Sequence, residues 1–193
     1  MRWRSTDSHW GAIAKAFHWL VALGILIQAV LRLYMVELPL GMAKLKWFLL
    51  HKAIGVTVLA LVLLRLLWRL FDRHPRYPAD MPRWQIGAAH ASHALLYLLL
   101  LLIPISGWVY NSASGFPLPW FGLIHLPAIA PVSPTLAHLA RITHIAAFWA
   151  LAGVLALHIG AAFEHHLRRR DAVLARMLPW RSRRAATDPG DRR

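Results

Sequence analysis

Four long apolar stretches, separated by short polar or proline-rich segments, set the pattern of the 193-residue chain. They run from about Ala14 to Met35, Lys46 to Arg69, Gly87 to Tyr110 and Leu139 to Phe163. Each supplies the roughly 20 residues that a helix needs to cross a hydrocarbon core of about 30 Å. The first follows Arg2 and Arg4, as a signal sequence would. Its apolar run is too long for one, it lacks a small-residue cleavage site, and three more spans follow. No charged residue occurs between Arg83 and Arg141. The segment from Ser112 to Pro134 inside that interval holds Pro117, Pro119, Pro127, Pro131 and Pro134. It cannot be helical throughout, and its apolar side chains place it on a membrane interface. The pattern predicts an all-α, integral membrane four-helix bundle over residues 1–178. A basic, disordered tail is expected over 179–193.

Composition sharpens this reading. The chain is 58% hydrophobic with a mean hydropathy of +0.46, yet carries a net charge of +14. A soluble nucleic-acid binder would gather its cations on one aqueous surface. Here the charge is segregated from the apolar runs, as a bilayer requires. With both termini inside, all but Arg32, Lys44, Lys46, Lys52 and Arg141 of the 22 basic residues fall on or near the cytoplasmic side. That is the positive-inside pattern, so an N-in, C-in protein of the bacterial inner membrane is expected. The absence of cysteine excludes disulfides, iron–sulfur clusters, zinc–thiolate sites and thiol catalysis.

Twelve histidines against eight carboxylates is an unusual ratio. Ionisable or metal-binding side chains inside spans are costly and therefore functional candidates. His18 lies about one turn into the first span and His51 about one turn into the second. His144 lies near the start of the fourth span, and His158 follows 14 residues later. That step is roughly 21 Å along a helix, with the two side chains within roughly 40° of one another. By depth the four form two cross-helix pairs, His51 with His144 on the outer side and His18 with His158 on the inner side. Two facing imidazoles complete a six-coordinate b haem. Zinc usually takes three or four protein ligands at one point, and no cysteine or intramembrane carboxylate supplies them.

The neighbours suit a large flat cofactor. Gly55, one turn from His51, leaves room for a porphyrin. Arg65, 14 residues beyond His51, falls at the inner level and would pair with a propionate. Lys52 and Arg141 are candidates for the same role at the outer level. His90 and His93, at i and i+3 on the third span near the inner face, either face the bundle to touch a haem propionate, a quinone or one another, or hydrogen-bond backbone at the interface. Of His165 and His166, which end the fourth span, one would hydrogen-bond a quinone carbonyl and move its proton.

In these residues the chain resembles the bacterial cytochrome b561 family. The segments that carry the likeness are AKAFHWLVALGI around His18, LLHKAIGVTVLALVLLRLLWRL around His51, GAAHASHALLYLLLLLIPISGW, and RITHIAAFWALAGVLALHIGAAFEHHL with its His144–His158 step. The resemblance implies four transmembrane helices that hold two b haems through His18, His51, His144 and His158. His165 matches a quinone-site histidine of the family. One family type is a superoxide oxidase, which passes an electron from superoxide at the outer face to membrane ubiquinone. Lys44, Lys46, Lys52 and Arg141 would steer such an anion.

The resulting expectation is a membrane electron-transfer cytochrome linking an outer-face donor to quinone. It would act as a superoxide:ubiquinone oxidoreductase, or as the cytochrome b anchor subunit of a hydrogenase or other periplasmic dehydrogenase. In the anchor case a periplasmic electron-donor protein would be the partner. A small-solute or ion transporter is a reading of another class. Against it, no Asp or Glu lies within a span core.

Overall fold

A computed structural model describes residues 2–77, 81–169 and 173–178. The expected basic tail lies outside these residues. Four long helices cover the four apolar stretches: α1 (Ala12–Glu37), α2 (Met42–Phe71), α3 (Arg83–Ala113) and α4 (Pro134–Glu164). A short π-helical turn (His165–Arg169) extends α4, and a five-residue helix, α5 (Val173–Met177), follows. Each of α1–α4 outruns its apolar stretch by a few residues at one or both ends, because helical hydrogen bonding continues past the hydrocarbon boundary into interfacial residues. All four are long and apolar enough to span a membrane. Their outward surface carries Leu23, Leu26, Leu63, Leu67, Leu98 and Leu157, each more than half exposed. In a bilayer these side chains face lipid.

Local sequence explains the helix ends. Leu38 is extended (ψ 140°) because Pro39 disfavours helical geometry in the residue before it, and α1 stops there. Lys44 turns back so that its Nζ donates to the carbonyls of Val36 (3.3 Å) and Leu38 (2.7 Å) at that terminus. Ser133 caps α4, its Oγ accepting the Leu136 N–H at 3.3 Å, with Pro134 at the first helical position.

Close backbone approach is concentrated within the two helical hairpins, α1–α2 and α3–α4, and is lesser between α2 and α3. The hairpins meet at mid-depth, where Val21, Val58, Val62, Leu99, Leu100, Ala147 and Leu151 form one buried cluster. On either side of it, α4 approaches α1 and α2 through histidine rings. At one end of the bundle the N-terminal segment, the α2–α3 linker and the C-terminal segment are laced together. Ser5 donates to both carboxylate oxygens of Asp72, from its N–H at 2.9 Å and from Oγ at 2.6 Å. The Arg76 N–H donates to the Asp7 carbonyl at 2.8 Å. Lys15 Nζ and Trp19 Nε1 donate to the carbonyls of Leu178 (3.2 Å) and Met177 (3.0 Å).

The segment between α3 and α4 is not helical throughout, as its prolines require. It contains a small antiparallel hairpin, β1 (Leu118–Trp120) and β2 (Ile124–Leu126), with Leu118 opposite Leu126 and Trp120 opposite Ile124. Phe121 (φ 50°) and Gly122 (φ 73°) turn the chain, and the Leu123 N–H donates to the Trp120 carbonyl at 3.0 Å. Consecutive positive φ angles favour glycine in such a turn, and one of the two positions here is glycine.

Candidate cofactor sites between the helices

The structure brings the four span histidines together in two levels. The His51 (α2) and His144 (α4) rings have centroids 6.2 Å apart, and those of His18 (α1) and His158 (α4) lie 6.5 Å apart. Two imidazoles on opposite sides of one metal ion, each bonded at about 2.0 Å, would have centroids about 6.2 Å apart. Both separations therefore fit a shared iron, and the sparse backbone contact of α4 with α1 and α2 is what leaves room for a macrocycle. Among the described residues no group of three or more His, Cys, Asp or Glu side chains converges to hold a free ion.

His144 is the most firmly oriented. Its Nδ1 donates to the Ile103 carbonyl of α3 at 2.8 Å, with Ser106 Oγ 3.5 Å away. Donation from Nδ1 fixes the tautomer and leaves Nε2 with a lone pair for a metal. The ring fits here because residue 107 is glycine: a Cβ at that position would stand 3.0 Å from His144 Cε1. His51 is held differently. Gln28 Nε2 donates to its backbone carbonyl at 2.9 Å, while His51 Nδ1 is buried and has no protein partner. A buried imidazole nitrogen without a partner is costly, and a bound group would relieve that cost.

At the inner level Arg65 Nη2 donates to His18 Nδ1 at 3.3 Å, so this arginine does stand beside the His18–His158 pair. Its guanidinium also lies 5.4 Å from the Tyr97 ring centroid, and Arg69 lies 5.8 Å from the same ring. A third imidazole joins this level: His93 of α3 stands 5.5 Å from His158, centroid to centroid. His90 instead packs on Tyr77 at 5.5 Å. His165 is buried, at 8% exposure, at the start of the π-helical turn, whereas His166 is half-buried. Such turns recur at functional sites.

Other candidates are placed elsewhere. Gly55 faces α1: a Cβ there would meet Gln28 Nε2 at 2.9 Å, so its lack of a side chain admits the glutamine that holds His51. Arg141 is exposed. Lys52 Nζ sits 5.5 Å over the Phe116 ring, and Lys44 caps α1. Of the cations assigned to the outer rim, Lys46 and Arg141 are the exposed ones. Gln28 lies outside the segments that carry the likeness, and Ser106 and Gly107 close one of them without being singled out there; the packing of α1 on α2 and of α3 on α4 gives all three a role.

Comparison with known proteins agrees with this architecture. A family model described as prokaryotic cytochrome b561 matches residues 9–180. Cytochrome b561 homolog 2 of Escherichia coli (strain K12) is 33% identical over 183 residues, 92% of this chain and 95% of that protein. Cytochrome b561 homolog 1 of the same organism is 32% identical over 133 residues, covering 68% and 74%. A protein of Yersinia pestis named probable superoxide oxidase CybB is 31% identical over 132 residues, again covering 68% and 74%. Four membrane-spanning helices, paired histidines between them and these matches lead to one conclusion: the chain belongs to the prokaryotic cytochrome b561 family of haem b-binding, membrane electron-transfer proteins.

Proposed function

We propose that the protein holds two b haems, an outer one between His51 and His144 and an inner one between His18 and His158, and passes electrons between an outer-face donor and membrane quinone. The observation that carries this reading is the pair of ring separations, 6.2 and 6.5 Å, repeated at two depths. A b haem with both axial positions filled supplies one-electron transfer and does not readily bind oxygen. The protein's own residues then have defined tasks. The Ile103 carbonyl orients His144, Gln28 tethers the backbone of His51, and the mid-bundle cluster separates the two levels with apolar side chains.

Arg65 has a second task in this reading. His18 can present Nε2 to a metal only when its proton is on Nδ1, and Nδ1 then no longer accepts from Arg65. The guanidinium is released to an acid group at the same level, which a haem propionate provides. His165, buried at the end of α4, is the proposed hydrogen-bond partner of the quinone. The termini are assigned to the cytoplasm from the basic residues at that end of the bundle.

Superoxide is the proposed donor. The name of the Yersinia pestis relative and the exposed cations Lys46 and Arg141 support it. Function as an anchor subunit for a periplasmic dehydrogenase is the second reading, favoured by the same outward placement of one histidine pair. Transport has no such support, because Glu37 and Glu164 sit exposed at helix ends.

A pyridine haem assay and dithionite-reduced spectra of the purified protein test the core of the proposal. Two b haems per chain are expected, and a protein without a Soret band overturns it. Stopped-flow reduction then separates the donors. Superoxide should reduce the protein rapidly, more slowly as salt rises, and more slowly in the Lys46→Glu, Arg141→Glu double variant. Reduction by quinol alone would favour the anchor-subunit reading.

A further inference from the structure

The hairpin between α3 and α4 stands too deep to be an aqueous loop. Trp120 Nε1 donates to Thr57 Oγ1 of α2 at 3.1 Å. Thr57 is six residues past His51 and eight before Arg65, so it lies between the two histidine levels. Beyond it, Ile124 and Leu126 join Trp120 against Thr57, Leu61 and Leu64 around an apolar cleft of about 290 Å³. The hairpin therefore runs along the outer flank of α2 through the stretch from Lys52 to Arg65, the uncharged middle of that helix.

We propose that residues 116–127 form a re-entrant hairpin embedded in the leaflet on the α3–α4 loop side, with lipid acyl chains covering its free face. Three independent features carry this. The first is composition: no charged residue occurs anywhere between Arg83 and Arg141, and the tip presents Phe121 and Leu123, the latter 75% exposed. A contiguous exposed apolar tip needs an apolar neighbour. Lipid is that neighbour because the patch continues the exposed leucine surface of α2, including Leu63 and Leu64.

The second feature is the fate of the backbone polar groups. Non-helical backbone survives at membrane depth only when its N–H and C=O groups are satisfied by protein. The Phe116 N–H donates to the Asn111 carbonyl at 3.2 Å, and Asn111 Nδ2 donates back to the Phe116 carbonyl at 2.8 Å. Trp108 Nε1 donates to the Pro127 carbonyl at 3.0 Å. The third feature is the proline spacing. Pro119 sits opposite His125 and has no N–H to donate, so β1 pairs through Leu118 and Trp120. Pro117 and Pro119 then direct their nitrogens to the free edge, which lacks donors where no partner exists. His125, the only other polar side chain on the strands besides Trp120, alternates with Ile124 and Leu126 and so faces away from the α2 cleft with Pro119.

The natural chain has no cysteine, so single-cysteine labelling of the full protein is clean. Nitroxide labels at Leu123→Cys and, separately, Phe121→Cys would be read in lipid vesicles by collision with oxygen and with a water-soluble nickel chelate. Leu40→Cys, in the α1–α2 turn at 94% exposure, is the aqueous reference, and Leu63→Cys on α2 is the hydrocarbon reference. Both hairpin labels should match position 63, with an oxygen-to-chelate collision ratio several-fold above position 40. A ratio at the level of position 40 overturns the proposal in favour of a water-exposed loop. Protection from both agents also overturns it, and would mean that a second copy or another protein covers the face.

Discussion

His144 shows how much of a site can depend on residues that carry no chemistry of their own. The imidazole is aimed by a carbonyl of α3 and admitted by the missing side chain of Gly107. His144→Ala should lower the haem content from two per chain to one, read by the pyridine assay, with the inner haem retained. Gly107→Val should approach the same result without touching an imidazole, because its side chain would occupy the His144 ring position. Ser106→Ala removes only the long 3.5 Å contact and should leave haem content unchanged. Arg65 acts through charge. A guanidinium beside an iron centre favours the reduced, less positive state, so Arg65→Gln should lower the inner midpoint potential. The expected shift is on the order of 60 mV, equivalent to about 1.4 kcal/mol for one electron, measured by spectroelectrochemical titration. His51, Arg65, His144 and His158 were legible from their 14-residue steps, and His18 from its depth in the first span. Gln28 and Gly107 were not, since a lone glutamine or glycine in an apolar helix carries no signal until its neighbour is known.

Helix pairing depends on equally small side chains. A Cβ on Gly24 would stand 2.7 Å from Val58 Cγ2, so α1 and α2 lie close where the mid-bundle cluster begins. Such small-residue contacts drive helix association in lipid, where no hydrophobic force separates helix from tail. Gly24→Leu should destabilise the α1–α2 hairpin by about 1–3 kcal/mol, as overpacking does, and lower the melting temperature in detergent. The proline-rich segment after α3 was foreseen as irregular and interfacial. Its hairpin and its seat on α2 were not, because three-residue strands interrupted by proline give no usable alternation.

For the molecule as a whole, one end is tied by the N-terminal segment, the α2–α3 linker and α5. The bonds of Ser5 to Asp72 and of Lys15 to Leu178 place the described chain ends on the same side of the bundle. The cytoplasmic placement proposed for that end rests on charge: it holds Arg2, Arg4, Arg73, Arg76 and Arg83. Reporter fusions at both termini should accordingly give cytoplasmic signals, with fluorescence from a green fluorescent protein and no alkaline phosphatase activity. A phosphatase-active C-terminal fusion would reverse the assignment.

The sequence alone determined the four spans, their charge asymmetry and the two depths at which histidines recur, because each is written in hydropathy or in a helical repeat. Tertiary structure decided the rest. It set the gap of just over 6 Å between imidazoles, the carbonyl that orients His144 and the turn of Arg65 toward His18. It also seated the α3–α4 hairpin against the middle of α2. These features arise between helices, and contacts between segments remote in sequence leave no periodic trace in any one of them.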